Sequence, residues 1–535
     1  MVEDNKIILS EYSSALLSAL RDIKGKTRPD DMSALSVSQT VSFFALVYEK
    51  VRNAVEFRED HLVLRAAIER ILKRRLSINP EGKGEAENIL RELLWARYFD
   101  NSSLGGEDVI RIQSLLDKFL FLKKKLVVGR ESSTQAYLNQ FLIDILTCEI
   151  EEILKPESAQ KLSNLTFFIF QVLRRKIKIE GLKDDQKDAF FLVSIEKVFG
   201  KSDLAYIHYH LYITFYKTLE SYSKDELEKL SHKLPSIFKK IDEMTKSPYV
   251  DNLTKFTRKQ LPPFLILFDI IKNKFDQIEG ILTNKDKLWT EVDETCRSKY
   301  QQMGTKVRNL AVRSFIYILL TKMVFALILE FPLSKYFYGQ ADYQSILINT
   351  LFPPLLMIVI LIFFRVPGES NTKKIYDRII EIIDDDKSFE TKVAFVPKKE
   401  QHKKPLLIFG FTVFYSLTFF VTLSIIYEFL LTLNFNLISQ IIFIFFVSVV
   451  TFFSYRIRQV TKELTLEVKE SILTPVADFF FMPILSLGKF FSQEMSKLNF
   501  FIFIFDFIIE APFKLLFEVV EEWINFVRKR KEEII

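Results

Sequence analysis

Cysteine, histidine and glycine are scarce, with two, five and fourteen in 535 residues. Cys148 and Cys296 stand far apart and cannot staple a chain of this size, so a reducing compartment is expected. Five histidines leave few metal ligands, and so few glycines leave little material for loops that cradle phosphate. No Walker A, GxGxxG, GxSxG or HExxH pattern occurs. Charge of one sign is also lacking: a formal net charge of +6 is too weak for a dedicated nucleic-acid binder. The expectation is a protein without catalytic activity, cofactor, resident metal or nucleic-acid partner.

A secretory leader is missing as well, since residues 1–20 carry Glu3, Asp4 and Glu11 and no apolar run follows a basic start. Retention of the N-terminal part in the cytosol is therefore expected. Fixed-period repeats and alternating strand-like stretches are nearly absent too.

Long apolar runs are what the chain does have, and all of them lie in its C-terminal part. Of 53 phenylalanines, 34 fall at or after Phe315, and this shift in composition marks a change of surroundings near residue 311. Four stretches reach the ~20 apolar residues that span a bilayer, at about 315–331, 346–364, 406–433 and 437–455. Only Asn434, Phe435 and Asn436 connect the last two, which predicts an antiparallel hairpin.

Basic residues set the expected orientation. Residues 365–404 carry ten Lys or Arg, whereas 333–345 carry Lys335 alone. The positive-inside rule then puts both termini and the 365–404 loop in the cytoplasm, in a plasma- or inner-membrane setting. The predicted fold class is all-α, a polytopic helical membrane protein with a large cytosolic helical bundle or irregular helical array. Its expected parts are a helical domain 1–310, a hairpin 311–364, a charged loop 365–404, a second hairpin 405–455 and Phe-rich interfacial helices 456–535.

In the N-terminal part, helical spacing predicts segments at 41–55, 62–76, 87–98, 107–126, 133–154, 162–179, 186–199, 204–219 and 225–244, and another around Pro262 and Pro263. Near the other end, Trp523 lies on a broad apolar face of the final helix. With Phe501 and Phe505 it is a candidate anchor at the membrane interface.

Chemistry-bearing groups are few. His208 and His210 would share a face only in a strand, and the helix predicted there sets them about 200° apart. Asp384, Asp385 and Asp386 lack the glycine and ligand spacing of a calcium loop and read as a solvated helix end. Ionisable groups within apolar spans are costly and mark candidate sites. Lys322 and Glu330 lie in the first span and Asn349 in the second. Glu428 lies in the third, at the same end as Glu330, so a Glu330–Glu428 carboxylate pair is one expectation. Pro353 and Pro354 are expected to break the second span.

Together these features read as a membrane-anchored scaffold that holds a cytosolic protein partner at the lipid bilayer. A transporter or channel subunit using the intramembrane polar groups is the alternative. A third reading is a lipid-binding or membrane-remodelling protein acting through the terminal helices.

Overall fold

Apolar spacing at helical period, interrupted by few strand formers, folds this chain into helices throughout. The computed structural model describes residues 5–24, 34–56, 62–127, 129–179, 181–339, 343–362, 366–384, 405–466, 482–491, 519, 523 and 526–527. Among the described residues there is no strand, only isolated bridges such as Lys6 with Asn284. The chain divides into two units. One holds residues 10–257 with 391–397 and 499–535, and the other holds 1–9, 258–390 and 398–498.

The N-terminal unit contains α1 (Glu11–Lys24), α2 (Gln39–Glu56), α3 (Val63–Ile78), α4 (Glu85–Trp95), α5 (Gly106–Leu126), α6 (Ser132–Leu154), α7 (Pro156–Arg174), α8 (Asp184–Ile195), α9 (Leu204–Phe215), α10 (Lys224–Ser231) and α11 (Leu234–Thr245). Helix α6 is its centre and packs against α3, α5 and α9. From Phe141 to Ile150 every α6 side chain is buried, so this stretch of the helix has no solvent face. Phe141 stacks on His208 at 4.2 Å and on Phe238 at 4.0 Å between ring centroids, which ties α6 to α9 and α11.

The predicted segment 225–244 is two helices. Pro235 occupies the first turn of α11, where its missing N–H has no partner to lose, and α10 ends just before it. Ser223 caps α10 by accepting from the Glu226 N–H, and Glu226 accepts from the Ser223 N–H in return.

Helix α12 (Pro248–Asn273) passes straight through Pro262 and Pro263, and the boundary between the units falls within it. The span-bearing unit continues with α13 (Ile278–Leu282), α14 (Lys285–Phe325), α15 (Phe331–Tyr338), α16 (Tyr343–Ile362), α17 (Glu369–Ile383), α18 (Pro405–Thr432), α19 (Leu437–Lys462) and α20 (Met482–Phe491). Four helices are long and apolar enough to cross a membrane. They cover 285–338, 343–360, 409–432 and 437–454, the first being a 54-residue helix made of α14, a π turn at Ala326–Glu330 and α15.

Three sequence expectations need correction here. The boundary at 310/311 falls inside α14, because the polar stretch from Lys285 is helical and runs on without interruption into the apolar one. The compositional shift marks where the surroundings change and not where an element ends. Pro353 and Pro354 do not break the second span, since α16 is one helix through both. A proline there removes an N–H bond to a carbonyl four residues back, a loss that buried helices tolerate when neighbours serve the freed groups. The 365–404 loop contains α17, whose Ile375, Ile379, Ile380, Ile382 and Ile383 are buried against the unit.

Asn371 anchors α17. Its amide donates to the Tyr300 hydroxyl and to the Leu464 carbonyl, both at 2.8 Å, and its Oδ1 accepts from the Leu466 N–H.

The α18–α19 connection follows from its three residues. Asn434 takes a left-handed φ of 59°, with its N–H on the Leu431 carbonyl and the Phe435 N–H on that of Leu430. These two bonds make a Schellman stop. Phe435 then packs on Leu430 and Phe443, and the Asn436 carboxamide caps α19 by accepting the Ser439 N–H at 2.9 Å.

Helix α20 lies against α19 through Gly488. A Cβ at this position would lie 2.7 Å from the Phe452 Cβ and closer still to the Ser448 carbonyl oxygen. Small residues allow such backbone approach between apolar helices. Gly488→Val is expected to lower stability by about 1–3 kcal/mol, the usual range for overpacking. Thermal unfolding of the detergent-solubilised protein checks this, and an unchanged midpoint would mean the two backbones do not meet.

Candidate functional site

Two ionisable residues of the spans, Lys322 and Glu330, meet where α14, α16 and α19 pack together. Lys322 and Glu330 are each 0% exposed and form an ion pair at 3.2 Å. Eight residues apart on an uninterrupted α-helix they would lie about 80° apart around the axis. The π turn at 326–330 takes more residues per revolution and swings Glu330 back toward the Lys322 face. Asn349 donates from Nδ2 to the second Glu330 oxygen at 2.6 Å and to the Ser439 carbonyl at 3.1 Å. Lys322 Nζ also sits 4.7 Å from the centroid of the Phe446 ring, a cation–π contact.

Both Glu330 oxygens are thus engaged within the cluster. Glu428 is exposed on α18, the most outward-facing span, so the expected Glu330–Glu428 carboxylate pair is not formed. Asn349 Oδ1, Ser439 Oγ and Gln440 Oε1 are buried without a hydrogen-bond partner among the described residues.

A second site lies in the N-terminal unit. A cavity of about 990 Å³ is walled by α7, α8 and α9 and by the C-terminal end of α6. Glu151 and Glu152 enter from α6, and Glu196 from the π turn that extends α8. Tyr206 and His210 enter from α9. Leu162, Phe167, Phe170, Leu192 and Ile213 supply apolar wall.

The acids there are held tightly. The Tyr206 hydroxyl donates to Glu151 and the Tyr209 hydroxyl donates to Glu152 at 2.6 Å. Ser202 Oγ donates to Glu196 at 2.6 Å, and His210 Nδ1 lies 3.0 Å from the other Glu196 oxygen. Burial pushes the Glu151 carboxyl up to about 7, against the opposing pull of the Tyr206 hydroxyl and Arg65. Burial alone would lower His210, but the Glu196 carboxylate carries it above its ordinary value.

His208 and His210 lie on helix α9 and engage separate carboxylates. His208 meets Asp144 at 3.2 Å while His210 meets Glu196. Asp385 and Asp386 lie outside the described residues, as do Phe501 and Phe505. Trp523 is 64% exposed, and Val519, Phe526 and Val527 are exposed with it, four residues that share one face at helical spacing.

Sequence reasoning missed the cavity because its walls, all but Leu64 within residues 151–215, come together only through the packing of four successive helices. One local signal was present. The final turn of α6 carries Glu151 and Glu152 and no base, against the negative end of the helix dipole. Comparison with protein-family models, curated proteins and solved structures finds no match.

Proposed function

We propose that this chain is a membrane-anchored interaction protein. Its N-terminal unit engages a cytosolic partner, and its four long apolar helices hold that partner at the bilayer. The observation that carries this reading is the 990 Å³ cavity, acidic and apolar, in a unit that shares a chain with four membrane-length helices. Cavities of this size, mostly apolar with a few convergent polar groups, are the usual form of a small-molecule site, and a side chain protruding from a partner protein can fill one in the same way. Tethering raises the effective concentration of whatever the unit binds, with no catalytic step required. The exposed apolar face at Trp523 supports a further contact with the lipid surface.

Transport is the second reading, favoured by the unpartnered Asn349, Ser439 and Gln440 atoms beside the buried ion pair. Mutual engagement of Lys322, Glu330 and Asn349 favours a packing role for that cluster instead.

A photo-crosslinker placed at Phe167, an exposed residue of the cavity wall, tests the proposal in native membranes. Crosslinking to one soluble protein, competed by that protein when it is added unlabelled, is the expected result. Failure to crosslink any protein, together with solute flux in reconstituted vesicles that Glu330→Gln abolishes, would replace this reading with transport.

A further inference from the structure

The cavity has a chemical bias that names its occupant. Five acidic side chains line it against two lysines, and with Asp188 paired to Arg174 and Glu196 to His210 the negative bias rests on Glu151, Glu152 and Asp185. One of those lysines, Lys155, places its ammonium 5.2 Å from the Phe99 ring centroid, and Phe99 does not line the cavity. The last turn of α6 presents Glu151 and Glu152 where the helix dipole already makes the site negative, and Arg65 and Lys155 offset the Glu151 charge only in part. Thr166 lines the same cavity, is only 5% exposed, and has a hydroxyl without a partner among the described residues. That hydroxyl has no surface open to the cavity as placed, so a ligand bonds it, and relieves its desolvation cost, only after the side chain turns about χ1. Phe170, Phe199 and Leu192 add an apolar wall to this acidic end, and Phe167 and Phe215, also lining it, are exposed.

We propose that this cavity binds an organic cation, a primary ammonium or guanidinium head on an apolar body, with Glu151 and Glu152 facing the head and the phenylalanines facing the body. The inference rests on the reading above that the N-terminal unit is a binding unit, and it names the chemistry that unit selects. A neutral apolar ligand would leave the remaining negative charge of the cavity unanswered, and an anion would be repelled by it. The same chemistry occurs in a free arylalkylamine and in a lysine or arginine side chain beside an aromatic residue on a partner protein.

The test uses the full-length protein in lipid nanodiscs and two probes, 4-phenylbutylamine and a nine-residue peptide with one lysine between phenylalanines. Each is compared with its neutral twin, 4-phenylbutanol or the peptide with norleucine in place of lysine. Calorimetry is expected to show binding of at least one cationic probe, at least tenfold weaker binding of its neutral twin, and a similar loss in Glu152→Gln. Ala159→Trp, which fills the cavity from the α7 wall, should abolish binding of both probe and twin.

Tight binding of the peptide with weak binding of the amine assigns the source to a partner protein, and the reverse assigns it to a free small molecule. Equal binding of cationic and neutral probes, or no binding of either cation, overturns the proposal. The crosslinking at Phe167 is scored separately. A partner captured there while no cation binds leaves the anchoring function standing and sinks the cation chemistry. Cation binding without any captured partner does the opposite.

Discussion

Glu330→Ala is expected to destabilise the span-bearing unit by about 3–5 kcal/mol, the range found when one member of a buried ion pair is removed. Lys322 would then have no exposed surface and no carboxylate, and the Phe446 ring alone cannot replace the lost ion pair. Asn349 would lose the shorter of its two hydrogen bonds as well. The compensated variant Lys322→Leu with Glu330→Gln should recover most of this loss. It removes both charges together and leaves a side-chain oxygen that accepts from Asn349. Thermal unfolding of the solubilised protein measures these variants, with Lys322→Leu and Glu330→Gln singly completing the cycle. A coupling energy near zero would show that the ion pair does not stabilise the span-bearing unit. Recovery of stability without recovery of any solute flux would separate a structural pair from a transport site.

Much of the fold was legible, for reasons tied to particular residues. Apolar runs bounded by charge located all four spans, and Asn434, Phe435 and Asn436 carried the hairpin because a left-handed stop and an Asn cap need only local chemistry. Helices α5 and α7 were readable because each buries a stripe at helical period. What was not legible depends on tertiary context. The polar first half of α14 has no apolar run to announce it, and its continuity with the span is visible only in the fold. Pro353 and Pro354 carry a strong local rule against helix interiors that packing in α16 overrides.

The candidate site divides the same way. Lys322, Glu330 and Asn349 stood out singly because polar groups are rare in such runs. Their mutual pairing depends on a π turn that no spacing rule predicts. Glu428 stood out equally, yet α18 turns it outward. The cavity needed four separate segments to meet before it existed at all.

The charge state of that cavity leads to the second large effect, a stability of the N-terminal unit that falls as pH rises through neutrality. Burial first, opposed by the Tyr206 hydroxyl, Arg65 and Lys155, places the Glu151 carboxyl at about 7 in the fold against 4.5 for an ordinary glutamate. Below pH 4.5 folded and unfolded chains are both protonated at Glu151, and the group contributes nothing. From 4.5 to 7 the unfolded chain releases the proton first, so each pH unit costs up to about 1.4 kcal/mol and the full cost approaches about 3 kcal/mol above pH 7. His210 acts in the same direction. Its pKa is raised in the fold, so its contribution is complete below 6.5 and is lost as pH climbs through the folded value. Glu69 acts oppositely and in another window. Its carboxyl opposes burial through Lys73 and Arg65 and is held at about 2, so its contribution is lost only as pH falls below 4.5. The unit should therefore be most stable near pH 5 and clearly weaker at pH 8. Glu151→Gln keeps an acceptor for the Tyr206 hydroxyl and removes the charge. It is expected to stabilise the unit by about 1–3 kcal/mol at pH 8 and to have little effect at pH 5. Hydrogen exchange of the α6 and α9 amides in the full-length protein, corrected for the intrinsic pH dependence of exchange, reads this directly. A variant no more protected than the parent at pH 8 would mean that the Glu151 carboxylate is ionised in the fold without penalty.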